Sequence, residues 1–361
     1  MIEYENLKKL NQKFETTLQR EFQIFLDSGW YILGQSVRKF EESFANYLES
    51  PYCVGVGNGL DAMILAIESL NLPPKSEIIV PSNTYIATIL AVLRTGHIPI
   101  LVEPDIATYN IDPSKIEDKL TDKTHAILVV HLYGKSCNME PIVKLATERN
   151  LHLIEDCAQS HGSRYKGKKT GTFGIGCFSF YPTKNLGALG DGGAIVTNDH
   201  NLALKLKTLR NYGSEKKYEN LLIGINSRLD EIQAYFLNIK LPFLDEINQH
   251  KRNLAAIYFA NLSKELIVPV VDSEYYDVYH IFNVRTSHRD KLKDHLAKND
   301  IKTEIHYPIP PHKQVAMKKV LTGEYPISEE IHNTTLSLPI SYYHTESDVI
   351  EVCNKINQFF R

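Results

Sequence analysis

Short apolar runs alternate with amphipathic helical stretches through residues 52–156, and this alternation constrains the fold more than any other feature of the chain. "YCVGV" (52–56) precedes a helical stretch opening at Asn58, "EIIV" (77–80) precedes "YIATILAVLR" (85–94), and "AILVV" (126–130) precedes "PIVKLATERN" (141–150). "LHLIED" (151–156) closes the series. Brief β-branched runs between helices read as strands buried on both faces. The order predicts βαβ units, and hence an α/β fold with a mainly parallel sheet covered by helices on both sides. Upstream, Leu7, Leu10, Phe14, Leu18 and Phe22 recur at helical spacing, as do Val37, Phe40, Phe44 and Leu48, so two amphipathic helices open the chain. Downstream, "CFSFY" (177–181) and "GAIVTN" (193–198) predict two further strands, and helices fill about 200–264. A β-rich stretch, "VYHIFNVRT" (278–286), then opens a smaller α+β unit that ends in the helix "DVIEVCNKINQFF" (348–360). The change of pattern puts a boundary near 245, giving a large unit over 1–245 and a small one over 246–361. No flexible linker separates them, so the two are expected to pack as one body.

Composition excludes several classes. The formal charge is −3 and no Lys or Arg run is interleaved with aromatics, which argues against a nucleic-acid partner. The longest apolar run, "YIATILAVL" (85–93), falls far short of the roughly 20 residues that a membrane span needs. The start, "MIEYENLKKL", is charged and amphipathic rather than basic-then-apolar, so a cytoplasmic protein is expected. The five cysteines form no CxxC pair and read as reduced core residues, with neither a disulfide framework nor a metal site.

Ligands of an open α/β sheet gather beyond the carboxyl ends of its strands. Three places there carry chemistry. Gly57-Asn58-Gly59 leads from a strand into a helix whose free N–H groups favour a phosphate; it reads equally as a tight turn, and it lacks the third glycine of a dinucleotide fingerprint. Asp156 closes a strand, with Gln159 three residues on; an aspartate there either caps a turn or holds a ring nitrogen protonated. In "CFSFYPTKNLGALGDGGAIV" (177–196), Ser179 lies on the incoming strand and Lys184 in the turn beyond it. Lysine is ordinarily a solvated charge, but one held in a pocket becomes a nucleophilic amine able to form a Schiff base. An amine for an aldehyde, a carboxylate for a pyridinium nitrogen, and N–H and hydroxyl donors for a phosphate are the parts of a pyridoxal 5'-phosphate site.

The segments "GVGNGLDAM", "PSNTYIAT", "VVHLYG", "LIEDCAQSHGS" and "FSFYPTKNLGALGDGGAIVTND", with "INSRLDEIQA" and "IHYPIP" later, closely resemble the DegT/DnrJ/EryC1/StrS family of sugar aminotransferases, over essentially the whole chain. The resemblance implies fold type I of the pyridoxal phosphate enzymes, with a seven-stranded, mainly parallel sheet in the large domain. It implies that Lys184 carries the cofactor and shuttles the proton, that Asp156 pairs with the pyridinium nitrogen, and that Gln159 contacts the ring or its hydroxyl. Tyr85 would stack on the ring, while Ser179 and the backbone over Gly57, Asn58 and Gly59 would hold the phosphate. Asn226 matches an asparagine that reaches the phosphate from a neighbouring subunit, so a homodimer is implied. Tyr31, Tyr181, His306 and Tyr307 match positions that line the sugar pocket, and each is also readable as a half-buried aromatic or a satisfied histidine. His131 reads as near the cofactor or as a structural hydrogen-bonding group. No arginine stands out as the clamp for the donor's carboxylate, and Arg228 is left aside.

The activity implied is transfer of an amino group from L-glutamate to a nucleotide-linked ketosugar, in deoxyaminosugar biosynthesis for lipopolysaccharide or other surface glycans. Members that aminate C3 read like "FYPTKNLGALGDGGA" around the lysine; those that aminate C4 carry a histidine where this chain has Tyr181 and a glutamate where it has Asp191. A dTDP-linked 3-keto-6-deoxyhexose is therefore the expected substrate. The alternatives are amination at C4 or of an inosose, a sugar dehydratase, or a regulator that keeps only the fold. The dehydratase relatives replace the lysine with histidine, and Lys184 is present here.

Overall fold

In the computed structural model, which describes residues 1–361, the alternation closes into one seven-stranded sheet. Its strands are β1 (Tyr52–Val56), β2 (Glu77–Pro81), β3 (Ile98–Val102), β4 (Thr124–Val130) and β5 (His152–Asp156). After two short strands outside it, β6 (Arg164–Tyr165) and β7 (Lys168–Lys169), come β8 (Ile175–Ser179) and β9 (Gly193–Thr197). The order is β1-β9-β8-β5-β4-β2-β3. β9 alone runs against its neighbours β1 and β8, and the remaining pairings are parallel. The strands that end at Val56, Asp156 and Ser179 therefore deliver these residues to one edge of the sheet.

The strands read as continuous apolar runs because both faces are covered. Val54, Val56, Ile78, Val80, Leu128, Val130, Cys177 and Ile195 enter the core beneath α4 (Gly59–Ser69), α5 (Ile86–Arg94) and α7 (His200–Leu209). Their alternates face the other way, as the two-residue period of a strand requires. Cys53, Phe178, Ala194 and Val196 meet α3 (Gln35–Leu48) and α8 (Glu231–Lys240), while Ile79, Ile127 and Val129 meet α6 (Met139–Glu148). Phe40, Phe44, Phe178 and Phe180 interlock edge-to-face at 5.0–5.4 Å under α3. Each such side chain contributes roughly 1.5–3 kcal/mol by leaving water. All five cysteines are free and buried.

Two expectations change. The first opening helix is broken into α1 (Leu7–Asn11) and α2 (Glu15–Ser28) by a tight turn at Gln12–Phe14, which sets Phe14 edge-on to Phe243 at 5.3 Å. The helical region after 200 is interrupted between α7 and α8 by an excursion carrying the two-stranded β10 (Ser214–Lys216) and β11 (Glu219–Asn220). Its base is pinched where Gly213, at φ +71°, passes the Leu222 carbonyl too closely for any side chain.

Residue 245 falls at the start of α9 (Leu244–Asn261). The second half of that helix packs with β13 (Phe282–Arg285), α10 (Arg289–Lys298), β14 (Thr335–Leu338) and α12 (Glu346–Phe359) around Tyr258 and Phe282, while β12 (Tyr275–Tyr276) pairs with β6. The amino terminus joins this smaller core, with Ile2 exchanging backbone hydrogen bonds with Asp300 and Lys302 at 2.8 and 2.9 Å. Conversely, α11 (Pro326–Thr334) returns to the large core through Ile331, and its Ile327 and Ser328 N–H groups each donate to Glu103 at 3.0 Å. No helix is long and apolar enough to cross a membrane.

Candidate active site

A cavity of about 550 Å³ opens at the carboxyl edge of the sheet, between the start of α4, the ends of β5 and β8, and residues 280 and 306–307 of the C-terminal part. It brings together Asn58, Gly59, Tyr85, Asp156, Gln159, Ser179, Tyr181, Lys184, His306 and Tyr307.

Asp156 is the last residue of β5 and is buried. Its Oδ2 accepts from the Thr88 hydroxyl at 2.9 Å and its Oδ1 from the Ala158 N–H at 3.1 Å. Burial nevertheless pushes its pKa up, opposed by those two donors and by the Lys184 charge. A buried carboxylate in this condition favours a cationic partner, which is what a protonated ring nitrogen is. Thr88 is steadied in turn by Thr84, hydroxyl to hydroxyl at 2.8 Å. These threonines sit four residues apart at the start of α5, a spacing visible in "NTYIAT" that sequence reasoning passed over.

Lys184 is half-buried in the turn after β8, its N–H bonded to the Tyr181 carbonyl at 2.8 Å. Burial lowers its pKa from 10.5 to about 8, against the raising effect of Asp156. An amine so placed carries a usable neutral fraction near physiological pH. Its Nζ lies 3.4 Å from Nε2 of His280, a residue unmarked in the sequence as anything but one histidine in an apolar run.

The start of α4 forms the third corner. Asn58 caps the helix, its Oδ1 accepting the Asp61 N–H at 2.8 Å, and the Ala62 N–H bonds the Asn58 carbonyl at 3.1 Å. That leaves the N–H groups of Gly59 and Leu60 without helical partners at the cavity wall. Gly59 is required by close approach: a Cβ there would sit 2.6 Å from the Ser179 Cβ. The Gly57 N–H, one residue earlier, is taken by the Ser227 hydroxyl at 3.0 Å, and Gly57 does not line the cavity.

On the remaining walls, Tyr85 stands exposed at the head of α5 with its ring 5.1 Å from that of Tyr307. Gln159 donates from Nε2 to the Tyr307 hydroxyl at 3.0 Å and accepts the Tyr133 N–H at Oε1. His306 bonds the Ser337 hydroxyl through Nδ1 at 2.9 Å, and burial with the Lys184 charge lowers its pKa to about 4, so its ring is neutral.

Other sequence candidates lie elsewhere. Tyr31 is outside the cavity of its own chain, packed on Phe25 at 4.8 Å beside exposed Trp30 and Ile32. Asn226 is exposed at the base of the 210–230 excursion, paired with Asn211, and Arg228 bonds the Asn211 side chain at 2.9 Å. His131 is fully buried between Glu155 (2.9 Å) and the Cys137 N–H (3.0 Å). Glu155 also accepts N–H groups from Gly171, Phe173 and Gly174, so this cluster with Cys157 braces a loop with its oxygens already engaged. The cavity thus has an amine, a buried carboxyl and a helix N-terminus with a serine at its corners, and these fit the aldehyde, ring nitrogen and phosphate of pyridoxal 5'-phosphate.

Comparison with known proteins gives the family. The model of the DegT/DnrJ/EryC1/StrS aminotransferase family matches residues 12–357. The chain is 52% identical over 361 residues to dTDP-3-amino-3,6-dideoxy-alpha-D-galactopyranose transaminase of Aneurinibacillus thermoaerophilus, covering 99% of each. It is 43% identical over 339 residues to dTDP-3-amino-3,4,6-trideoxy-alpha-D-glucose transaminase of Streptomyces venezuelae, covering 92% of this chain and 89% of that one. Among solved structures, S. venezuelae DesV in complex with a ketimine intermediate superposes with a TM-score of 0.97 at 40% identity, covering 99% of this chain and 98% of that one. Matched over nearly its whole length by the family model, the chain belongs to the DegT/DnrJ/EryC1/StrS aminotransferase family.

Proposed function

We propose that this pyridoxal 5'-phosphate-dependent aminotransferase moves an amino group from L-glutamate to C3 of a dTDP-linked 3-keto-6-deoxyhexose, yielding the 3-amino-3,6-dideoxyhexose nucleotide. The observation that carries the reading is the meeting of Lys184, Asp156 and the α4 N-terminus around one cavity. The choice of C3 rests on the resemblance to the two 3-amino-sugar transaminases and on Tyr181 and Asp191, which both line the cavity.

When bound, the cofactor supplies a ring that withdraws electrons from the carbon losing its proton. Lys184 would hold the cofactor until the donor's amine displaces it, and the Nζ so freed would take and return that proton. Asp156, kept in place by Thr88 and the Ala158 N–H, keeps the ring nitrogen protonated. Gly59, Leu60 and Ser179 would bind the phosphate, and Tyr85 would cover the ring face. His306, neutral, and Tyr307 face the sugar side.

The site is completed by a second copy. Tyr218 and Ile223 are 88% and 99% exposed on the 210–230 excursion and Trp30, beside Tyr31, is 63% exposed, and a second copy would cover such apolar side chains. Asn226, at the excursion's base, reaches the phosphate of the partner's site in this reading.

Offering dTDP-3-keto-6-deoxy and dTDP-4-keto-6-deoxy sugars separately with glutamate, and locating the new C–N bond by NMR, tests the assignment. Amination at C3 is expected; efficient amination of only the 4-keto compound overturns it.

A further inference from the structure

His280 contributes more than bulk to the cavity. Its Nε2 lies 3.4 Å from the Lys184 amine, and its backbone carbonyl accepts the Lys251 amine at 2.9 Å. Lys251 is buried, 4% exposed, and its second acceptor at 2.9 Å is Oδ1 of Asn185, the residue after Lys184. Asn185 donates onward from Nδ2 to the Val278 carbonyl at 3.0 Å and to Oδ1 of Asn248 at 2.8 Å. The frame closes on itself: the turn bearing Lys184 and the segment bearing His280 are tied together by one buried lysine and one asparagine. The Val278 N–H donates to the Gly134 carbonyl at 2.9 Å, and Gly134 lies so near the His280 N that a Cβ would approach it to 2.7 Å, so the segment has no room to shift.

The charged and titratable groups facing His280 are Lys184, Lys251, His306 and His161, with no carboxylate among them. Burial and these neighbours hold its pKa well below 6.5, so the ring is neutral. A neutral imidazole has one acceptor nitrogen, and Lys184, with a pKa of about 8, is mostly an ammonium with no acceptor at neutral pH, which makes Nε2 the acceptor and places the hydrogen on Nδ1. Nδ1 is buried and has no partner, so the tautomer is set at Nε2 alone.

We propose that His280 is a positioning residue for Lys184: Nε2 accepts one N–H of the amine and so fixes the direction of its lone pair, while Lys251 and Asn185 lock the two residues at that separation. The inference rests on the aminotransferase reading, in which Lys184 is the reacting amine. A primary amine rotates freely about its last bond unless an N–H is held, and restricting that rotation is an orientation effect on the attack.

Cofactor-stripped protein is mixed with pyridoxal 5'-phosphate, and growth of the yellow absorbance is followed against pH for the wild type, His280→Leu, His280→Gln and Lys184→Ala. His280→Leu removes the acceptor and keeps the site apolar, so the rate falls about tenfold, the equivalent of one lost hydrogen bond, with a changed pH midpoint. His280→Gln offers an oxygen at similar reach and recovers most of that loss, while dTDP binding to the stripped protein is unchanged in both. A Leu variant with wild-type rate and midpoint, or a Gln variant as slow as Leu, overturns the proposal. For a Leu variant that does not fold, ring 15N shifts of His280 in the wild-type chain decide: Nε2 unprotonated and altered by Lys184→Met is expected, and a hydrogen on Nε2 overturns it. Failure of the wild type to gain colour, with Lys184→Ala as its blank, overturns the aminotransferase reading instead.

Discussion

The backbone N–H of Tyr133 donates to Oε1 of Gln159 at 2.6 Å, and the hydroxyl of the same tyrosine donates to the His306 carbonyl. One residue in the loop after β4 therefore fixes the Gln159 amide, whose Nε2 is left for Tyr307, and tethers the 306–307 segment that forms one wall of the cavity. Tyr133→Phe keeps the ring and its edge contact with Tyr109 at 5.6 Å and deletes only the tether. KM for the nucleotide sugar is expected to rise about tenfold with a smaller change in kcat, as for the loss of one buried hydrogen bond. Steady-state kinetics decide it: a loss confined to kcat shows that the tether serves the chemical step instead.

Asp156 and Thr88 form a pair in which one residue acts through the other. Asp156→Asn removes the charge that keeps a ring nitrogen protonated, and a fall in kcat on the order of 100-fold is expected. Thr88→Val leaves the carboxylate but takes away one of its two donors, so a fall of about tenfold in kcat follows, in the same direction. Normal turnover with weakened sugar binding in Asp156→Asn moves this residue out of the cofactor site.

What sequence reasoning could read was what chain order encodes. The strand end at Asp156, the place of Ser179 on the strand before the lysine and the turn at Lys184 follow from apolar runs and their terminators, and the structure brings all three to one cavity, although that strand is 175–179 rather than 177–181. β3 escaped notice because "IPILV" carries a proline, which an interior strand rejects and an edge strand tolerates; β3 is the edge. His280 and Tyr133 escaped because their partners, Lys184 and His306, lie 96 and 173 residues away. A histidine within an apolar run carries no local mark of what it will face. The partner of the Gly57 N–H was hidden for a related reason, since the Ser227 hydroxyl comes from 170 residues on.

The lowered pKa of Lys184 has a consequence for stability. Between about 8 and 10.5 the folded chain without cofactor has lost this proton and the unfolded chain still holds it. The unfolded state then binds more protons, so stability rises with pH through that window, and the cost of burying the ammonium is fully present below it. Lys184→Met removes the cost. The stripped variant is expected to exceed the stripped wild type at pH 7 by on the order of 2–3 kcal/mol, with the advantage fading toward pH 10.5. Urea unfolding at the two pH values measures the difference, and equal stabilities at pH 7 mean that the amine is well solvated.

Asn226 provides the test of the shared site. It is exposed in its own chain, while its neighbour Ser227 is fixed to Asp61 by a 2.7 Å hydrogen bond and to the Gly57 N–H, so the base of the 210–230 excursion is held rigidly and Asn226 is presented outward. If its target is the partner's phosphate, a Lys184→Ala chain and an Asn226→Ala chain are each inactive alone and complementary together. In a mixed dimer, the Asn226→Ala chain supplies an intact Lys184 and receives Asn226 from the other chain, which restores one of the two sites. Random exchange makes half the dimers mixed, so activity is expected to reach at most about one quarter of wild type. Assaying the mixture after subunit exchange has been verified gives the answer: no recovery places Asn226 in the service of its own chain and removes the partner from the catalytic site.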